Sequence, residues 1–166
     1  VMFVPSYLNG VDGIFDKDYY ELLCGMDVTV FPSYYEPWGY TPLESVAFSV
    51  PTITTSLAGF GLWVAEHCKE HKGVEVIDRN DANDSEGVTE IASSIEKFCN
   101  MSAKEYASYQ ESALKTSEIA LWENLYAYYA HAYDVALARM TERSSGFKYE
   151  GGGDQNEQIN FVRQQL

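Results

Sequence analysis

With 166 residues, 46% of them hydrophobic and 14% aromatic, the chain can bury one real core, which excludes a disordered acidic protein. Its formal net charge of -14 repels polyanions and so argues against nucleic acid and anionic membrane as partners. Cys24, Cys68 and Cys99 are few, odd in number and far apart, which points to reduced thiols in a cytoplasm and away from a disulfide framework or a zinc ribbon.

The opening Val1-Met2-Phe3-Val4-Pro5 lacks the basic flank of a signal peptide and is expected to be a strand cut from something longer. Residues 1–8 as a whole are apolar and β-rich, ending at the turn pair Asn9-Gly10. Residues 16–25 have helical spacing, with Tyr19, Leu22 and Leu23 on one face and Gly25 at the stop. A buried strand is expected at 27–31, a helix at 41–50, a strand at 51–55, a glycine-bearing loop at 56–61 and a helix at 62–71. Another strand at 74–77 and a helix at 84–99 follow.

Strands alternating with helices of about ten residues predict an α/β fold, a Rossmann-like parallel sheet with helices on both faces. Such sheets bind ligands at the carboxyl ends of their strands, which directs attention to the loops at 32–40 and 56–61. From Ser102 onward the pattern is helical. Ser102 and Glu105 make a capping box, and a long helix is expected over about 117–140. Trp122, Leu125, Tyr126, Tyr129 and Tyr133 form one face of it, suited to packing on the domain or to docking a partner domain. Residues 1–143 are therefore read as one domain and 144–166 as a polar tail.

Chemistry concentrates in Phe31-Pro32-Ser33-Tyr34-Tyr35-Glu36-Pro37-Trp38-Gly39-Tyr40-Thr41-Pro42-Leu43-Glu44. Thr41 suits an N-cap, Pro42 the first helical position and Glu44 the acid of a capping box. The free N–H groups of that turn, with the helix dipole, make an anion site, and Gly39 lets a ligand approach the backbone. Glu36 and Glu44 bracket the site, and carboxylates accept pairs of hydroxyl hydrogens well. A molecule that is both sugar and phosphate fits. Glu44 could instead do no more than close the capping box; Glu36, before Pro37 in an extended loop, has no such duty.

The string from Tyr34 to Glu44 resembles the central motif of animal and fungal glycogen synthases, including the Glu-x7-Glu pair of retaining transferases with two Rossmann-like domains. The Glu pair is widespread, whereas Tyr-Tyr-Glu-Pro-Trp-Gly-Tyr-Thr-Pro is far more specific. The likeness continues through Pro51 to Gly61, with Ala58 where the family has serine. It reaches the late helix at Trp122, Leu125, Tyr128, Tyr129 and the Ala-Leu-x-Arg of Ala136 to Arg139.

This resemblance implies the carboxyl-terminal half of a GT-B glycosyltransferase that moves glucose from UDP-glucose to the end of an α-1,4-glucan with retention. It implies that Glu36 is the catalytic residue, approaching the donor glucose and the reacting carbon, and that Glu44 holds the ribose hydroxyls. Trp38, Gly39, Tyr40 and Thr41 would meet glucose and diphosphate, Tyr19 would stack on the base and Tyr7 would flank it. No metal and no cofactor are called for. A missing N-terminal Rossmann-like domain would supply the acceptor groove, an oligomer is compatible, and the chain alone is expected to be inactive. Alternatives are a non-catalytic nucleotide- or glucan-binding module, or a related transferase with another donor.

Two departures stand out. No Lys or Arg lies between Lys17 and Lys69, so the phosphate site has no local side-chain cation; in the family an Arg and a Lys come from upstream. The arginine cluster that binds a sugar-phosphate activator is absent from 112–120, which holds one Lys and no Arg. The sequence His67-Cys68-Lys69-Glu70-His71 matches a zinc-protease spacing but is read as ordinary surface-helix polarity. No dinucleotide or P-loop glycine motif follows a strand.

Overall fold

The computed structural model describes residues 1–146. It divides into a unit ending at Leu121 and a second beginning at Trp122. The first holds a parallel sheet in the order β1-β2-β3, formed by β1 (Thr29–Val30), β2 (Thr52–Thr55) and β3 (Val74–Ile77). Register is set by Thr29 opposite Thr52, and by Thr52 to Thr55 opposite Val74 to Ile77. Its helices are α1 (Tyr19–Leu23), α2 (Tyr40–Ala47), α3 (Gly59–His67), α4 (Asp84–Cys99) and α5 (Ala103–Ile119). Two βαβ crossovers, through α2 and α3, thus carry the chain from β1 to β3.

The twofold alternation of strand side chains sorts the core into two layers. Val74 and Val76 face Val46 of α2, Phe60 and Val64 of α3, and Ala113 of α5. Ile53 and Ile77 point the other way, into a cluster with Val28, Val30, Ile91, Phe98, Met101, Tyr106 and Tyr109. The sheet is therefore covered on both faces, as the alternating pattern predicts. Phe60 and Ile53 are fully buried, each worth about 1.5–3 kcal/mol relative to exposure.

Hydroxyls tie α2 to the sheet. Thr29 Oγ1 lies 2.6 Å from Ser45 Oγ and 2.9 Å from Thr52 Oγ1, and Ser45 Oγ donates to Val50 O at 3.2 Å. Because these buried groups satisfy one another, their burial is affordable, and α2 is held in one orientation.

Several expected elements change at their edges. Residues 1–8 form no strand: an isolated antiparallel bridge, Asn9 to Asp18, is the pairing near them, and Val1, Met2, Phe3 and Tyr7 are exposed. A strand needs a neighbour for its N–H and C=O groups, and none of the described strands lies alongside. The helix expected at 16–25 is only one turn, α1, because Asp16 adopts φ 52° and Asp12 Oδ1 accepts from the amides of Ile14 and Phe15 at 2.9 Å, favouring turns. The helix expected at 62–71, α3, begins earlier, at Gly59, and ends at His67. Ser102 caps α5 as expected, accepting from Glu105 N–H at 3.3 Å.

In the second unit a single helix, α6 (Trp122–Gly146), carries the late aromatic residues, and Trp122 meets Tyr129 edge to face with centroids 5.0 Å apart. The break before Trp122 places residues 117–119 in the last turn of α5 and not in the long helix. Of the polar tail expected at 144–166, residues 144–146 belong to α6 and the rest lie outside the described residues. Among the described residues no helix is long and apolar enough to cross a membrane.

Candidate active site

The first turn of α2 is built differently from the sequence expectation. Gly39, not Thr41, is the N-cap, with φ 113° and ψ 75°, and the first helical bond runs from Leu43 N–H to Gly39 O at 3.4 Å. Only glycine adopts that conformation without strain, and a Cβ there would sit 3.1 Å from Pro42 Cγ. Pro42 therefore occupies the third helical position, where its missing N–H would have been unpaired in any case. Glu44 is two positions beyond the acid of a capping box, so it has no capping duty. The amides of Gly39, Tyr40 and Thr41 find no acceptor among the described residues, and Tyr40 and Thr41 are exposed. The amides of the exposed Tyr40 and Thr41, with that of the buried Gly39 behind them, thus form an unpaired donor group at the positive end of a helix.

The loop before that turn is joined to the next strand-to-helix loop by backbone bonds. Glu36 N–H donates to Leu57 O at 3.2 Å, Gly59 N–H to Glu36 O at 3.0 Å and Phe60 N–H to Trp38 O at 2.5 Å. This close approach needs glycine at 59, where a Cβ would fall 2.2 Å from Pro37 O. The first two amides of α3, those of Gly59 and Phe60, are thereby engaged by the loop, whereas the first two of α2 are not.

Glu36 is half-buried and turned towards that start. Its Oε2 accepts from Ser33 Oγ at 3.2 Å and lies 3.5 Å from where a Cβ of Gly39 would be. Trp38 points the other way, packing its ring against Phe60 and Trp63 at centroid distances of 5.9 and 5.8 Å.

Glu44 belongs to a second cluster. Tyr20 donates its hydroxyl to Glu44 Oε1 at 3.0 Å while its ring stacks on Phe48 at 5.4 Å and 14°. Tyr19, half-buried, meets Tyr20 edge to face at 5.3 Å. The hydrogen bond to Glu44 pushes the Tyr20 hydroxyl above its ordinary pKa; burial does so for Tyr19, and the charge of Glu44 adds to it. Tyr7 is not gathered in: it is 93% exposed, and no hydrogen bond or ring contact links its side chain to this cluster. Sequence reasoning missed Tyr20, although its place beside Tyr19 at the start of a helix was the available signal.

It also missed Arg79. The stretch without cations is real along the chain, but in space Arg79, just after β3, reaches the motif loop. Its Nη1 donates to Pro32 O at 2.8 Å and its Nη2 to Asp84 Oδ1 at 3.3 Å. The guanidinium lies 3.6 Å from the Tyr34 ring centroid, and Tyr34 donates to Asp84 at 2.6 Å. That hydroxyl, and then Arg79, hold the Asp84 carboxyl below its usual range. The signal was positional, since Arg79 follows the carboxyl end of a strand.

The histidine pair takes a different form from the helical one expected. Because α3 ends at His67, His71 is not one turn above it; His67 Nδ1 pairs with Trp63 O at 3.1 Å and His71 Nδ1 with Val74 O at 3.0 Å. Among the described residues no group of three or more His, Cys, Asp or Glu is arranged to hold a metal.

The family model described as glycogen synthase matches residues 1–163. The glycogen [starch] synthase of Caenorhabditis elegans is 37% identical over 142 residues, covering 84% of this chain and 21% of that protein. Human liver glycogen [starch] synthase is 32% identical over 141 residues, covering 84% and 20%. Isoform 1 from Saccharomyces cerevisiae is 33% identical over 144 residues, again covering 84% and 20%. The chain spans about a fifth of the length of these relatives. With a family model matched along nearly all of its length and a motif of this specificity, the chain belongs to the glycogen synthase family.

Proposed function

We propose that this chain is the donor-binding part of a retaining glucosyltransferase that passes glucose from UDP-glucose to the 4-hydroxyl at the non-reducing end of an α-1,4-glucan. The observation that carries this reading is the trio of unpaired amides at Gly39, Tyr40 and Thr41, with Glu36 beside them. As the bond from glucose to diphosphate breaks, charge gathers on the leaving group. Fixed N–H donors stabilise that charge without reorganising, and loss of one such donor typically costs about 10²–10³ in rate.

Glu36, held by Ser33, would face the glucose and the reacting carbon. Glu44 would take the ribose hydroxyls with the oxygen that Tyr20 leaves open, and Tyr19 would stack on the base. Trp38 would act through its backbone and by fixing the loop, since its ring is engaged with Phe60 and Trp63. Tyr7 would need residues 1–8 in another arrangement before it could flank the base. Glu36 is not assigned as a nucleophile: a same-face substitution needs none, and nothing in the site demands a double displacement.

The charge on two phosphates needs cations as well as amides, and Arg79 is already engaged elsewhere. We therefore place those cations, and the acceptor groove, in the rest of a longer protein with a second Rossmann-like domain, and expect this chain by itself to be inactive. Exposed, unpaired Cys24 and Cys99 support a cytoplasmic setting. The test is glucosyl transfer to glycogen by the full-length protein, with UDP-glucose and ADP-glucose compared. Transfer from UDP-glucose supports the reading, preference for ADP-glucose changes the donor, and no transfer from either favours a binding module.

A further inference from the structure

Arg79 is 12% exposed, and both of its terminal nitrogens and one face of its guanidinium are engaged, by Pro32 O, Asp84 and the Tyr34 ring. It is not placed to serve as a phosphate ligand. Its effect falls on the base of the loop that carries Glu36. Arg79 holds the carbonyl of Pro32 at 2.8 Å, and Thr55 Oγ1 holds the carbonyl of Ser33 at 2.7 Å. Two successive carbonyls are thus pinned, which fixes the backbone that carries the Ser33 side chain, and the Ser33 hydroxyl donates to Glu36 Oε2 at 3.2 Å.

We infer that Arg79 is a positioning residue for the transfer reaction, fixing the carboxylate of Glu36 through Pro32 and Ser33; this rests on the role proposed for Glu36 above. A planar fork suits the task because it donates in two directions while lying flat on a ring, which an ammonium cannot do.

The experiment is a double-mutant cycle in the full-length protein with Arg79→Met, Ser33→Ala and the pair, reading kcat and KM for UDP-glucose. Arg79→Met is expected to lower kcat on the order of 10- to 100-fold, since small misplacements of a reacting group cost that much. Its KM stays within about threefold, because uniform donor binding is untouched. In the double variant kcat should be no lower than in the worse single variant, since both changes break one chain of contacts. Losses that multiply would overturn the inference.

If Arg79→Met does not fold, Arg79→Lys takes its place, with a smaller kcat loss expected in the same non-additive pattern. Hydrogen exchange over residues 33–39 gives a readout independent of catalysis: it should quicken about tenfold in the Arg79 variant, reporting local opening. Unchanged exchange there would overturn the inference even if the wild-type protein transferred no glucose. A wild-type protein without transfer but with quickened exchange in the variant would refute the functional reading alone.

Discussion

Residues 31–61 and residues 1–18 make an instructive pair. In the first region two strand-to-helix loops exchange backbone hydrogen bonds across Glu36, Trp38, Leu57 and Gly59, so the site is determined by contacts the chain makes with itself. In the second, one isolated bridge and a few Asp-centred turns hold the backbone, while Met2, Phe3 and Tyr7 face solvent. Both regions are apolar and aromatic. What separates them is whether the backbone donors and acceptors have partners, and that decides which candidate residues are assembled: Glu36, Gly39, Tyr40 and Thr41 are together, and Tyr7 stands apart.

The largest effect that would sharpen this contrast is expected from Glu36→Gln in the full-length protein. The change keeps the shape and removes the charge, so kcat should fall by about 10³ or more while the melting temperature is unchanged. A variant with wild-type turnover would remove Glu36 from the chemistry.

Gly39→Ala comes next. At φ 113°, with Pro42 Cγ 3.1 Å from the new methyl, it should cost on the order of 1–3 kcal/mol of stability, measured by urea unfolding. It should also slow transfer, because the donor amides move with the cap.

Glu44→Ala is expected to raise KM for UDP-glucose about 10- to 100-fold, the scale of lost charge-assisted hydrogen bonds. Tyr20→Phe should raise it only about threefold, by loosening Glu44, because a hydrogen bond from an exposed phenol competes with water and contributes little. If Tyr20→Phe weakened binding as much as Glu44→Ala, the tyrosine would itself be a ligand contact.

The smallest effect belongs to the other region. Tyr7→Ala, at a ring 93% exposed, should change stability by no more than about 0.5 kcal/mol by the same unfolding measurement. A larger loss would mean that residues 1–8 are packed in solution.

The readability of the sequence follows the same division. β2, β3 and α4 were legible to the residue or nearly so, because β-branched runs, turn residues and a long amphipathic repeat all agree there. The start of α2 was misread by two residues: Thr-Pro looks like an N-cap and first position, yet Gly39 can take a left-handed conformation that lets the helix begin earlier. Spacing placed Glu36 and Glu44 near one helix start. The partners that orient them, Ser33 and Tyr20, required geometry. Arg79 and Asp84 are more than forty positions from the loop they anchor, and only the parallel pairing of strands brings them there. Residues 1–8 misled because β-propensity marks a segment able to pair and says nothing of a partner.

The most direct measurement is a crystal structure of the full-length protein with UDP bound. The diphosphate should lie about 3 Å from the amides of Tyr40 and Thr41, with the Glu36 carboxylate on the side where the glucose would leave. A nucleotide bound elsewhere, with those amides facing only water, would contradict the assignment of α2 as the donor cradle.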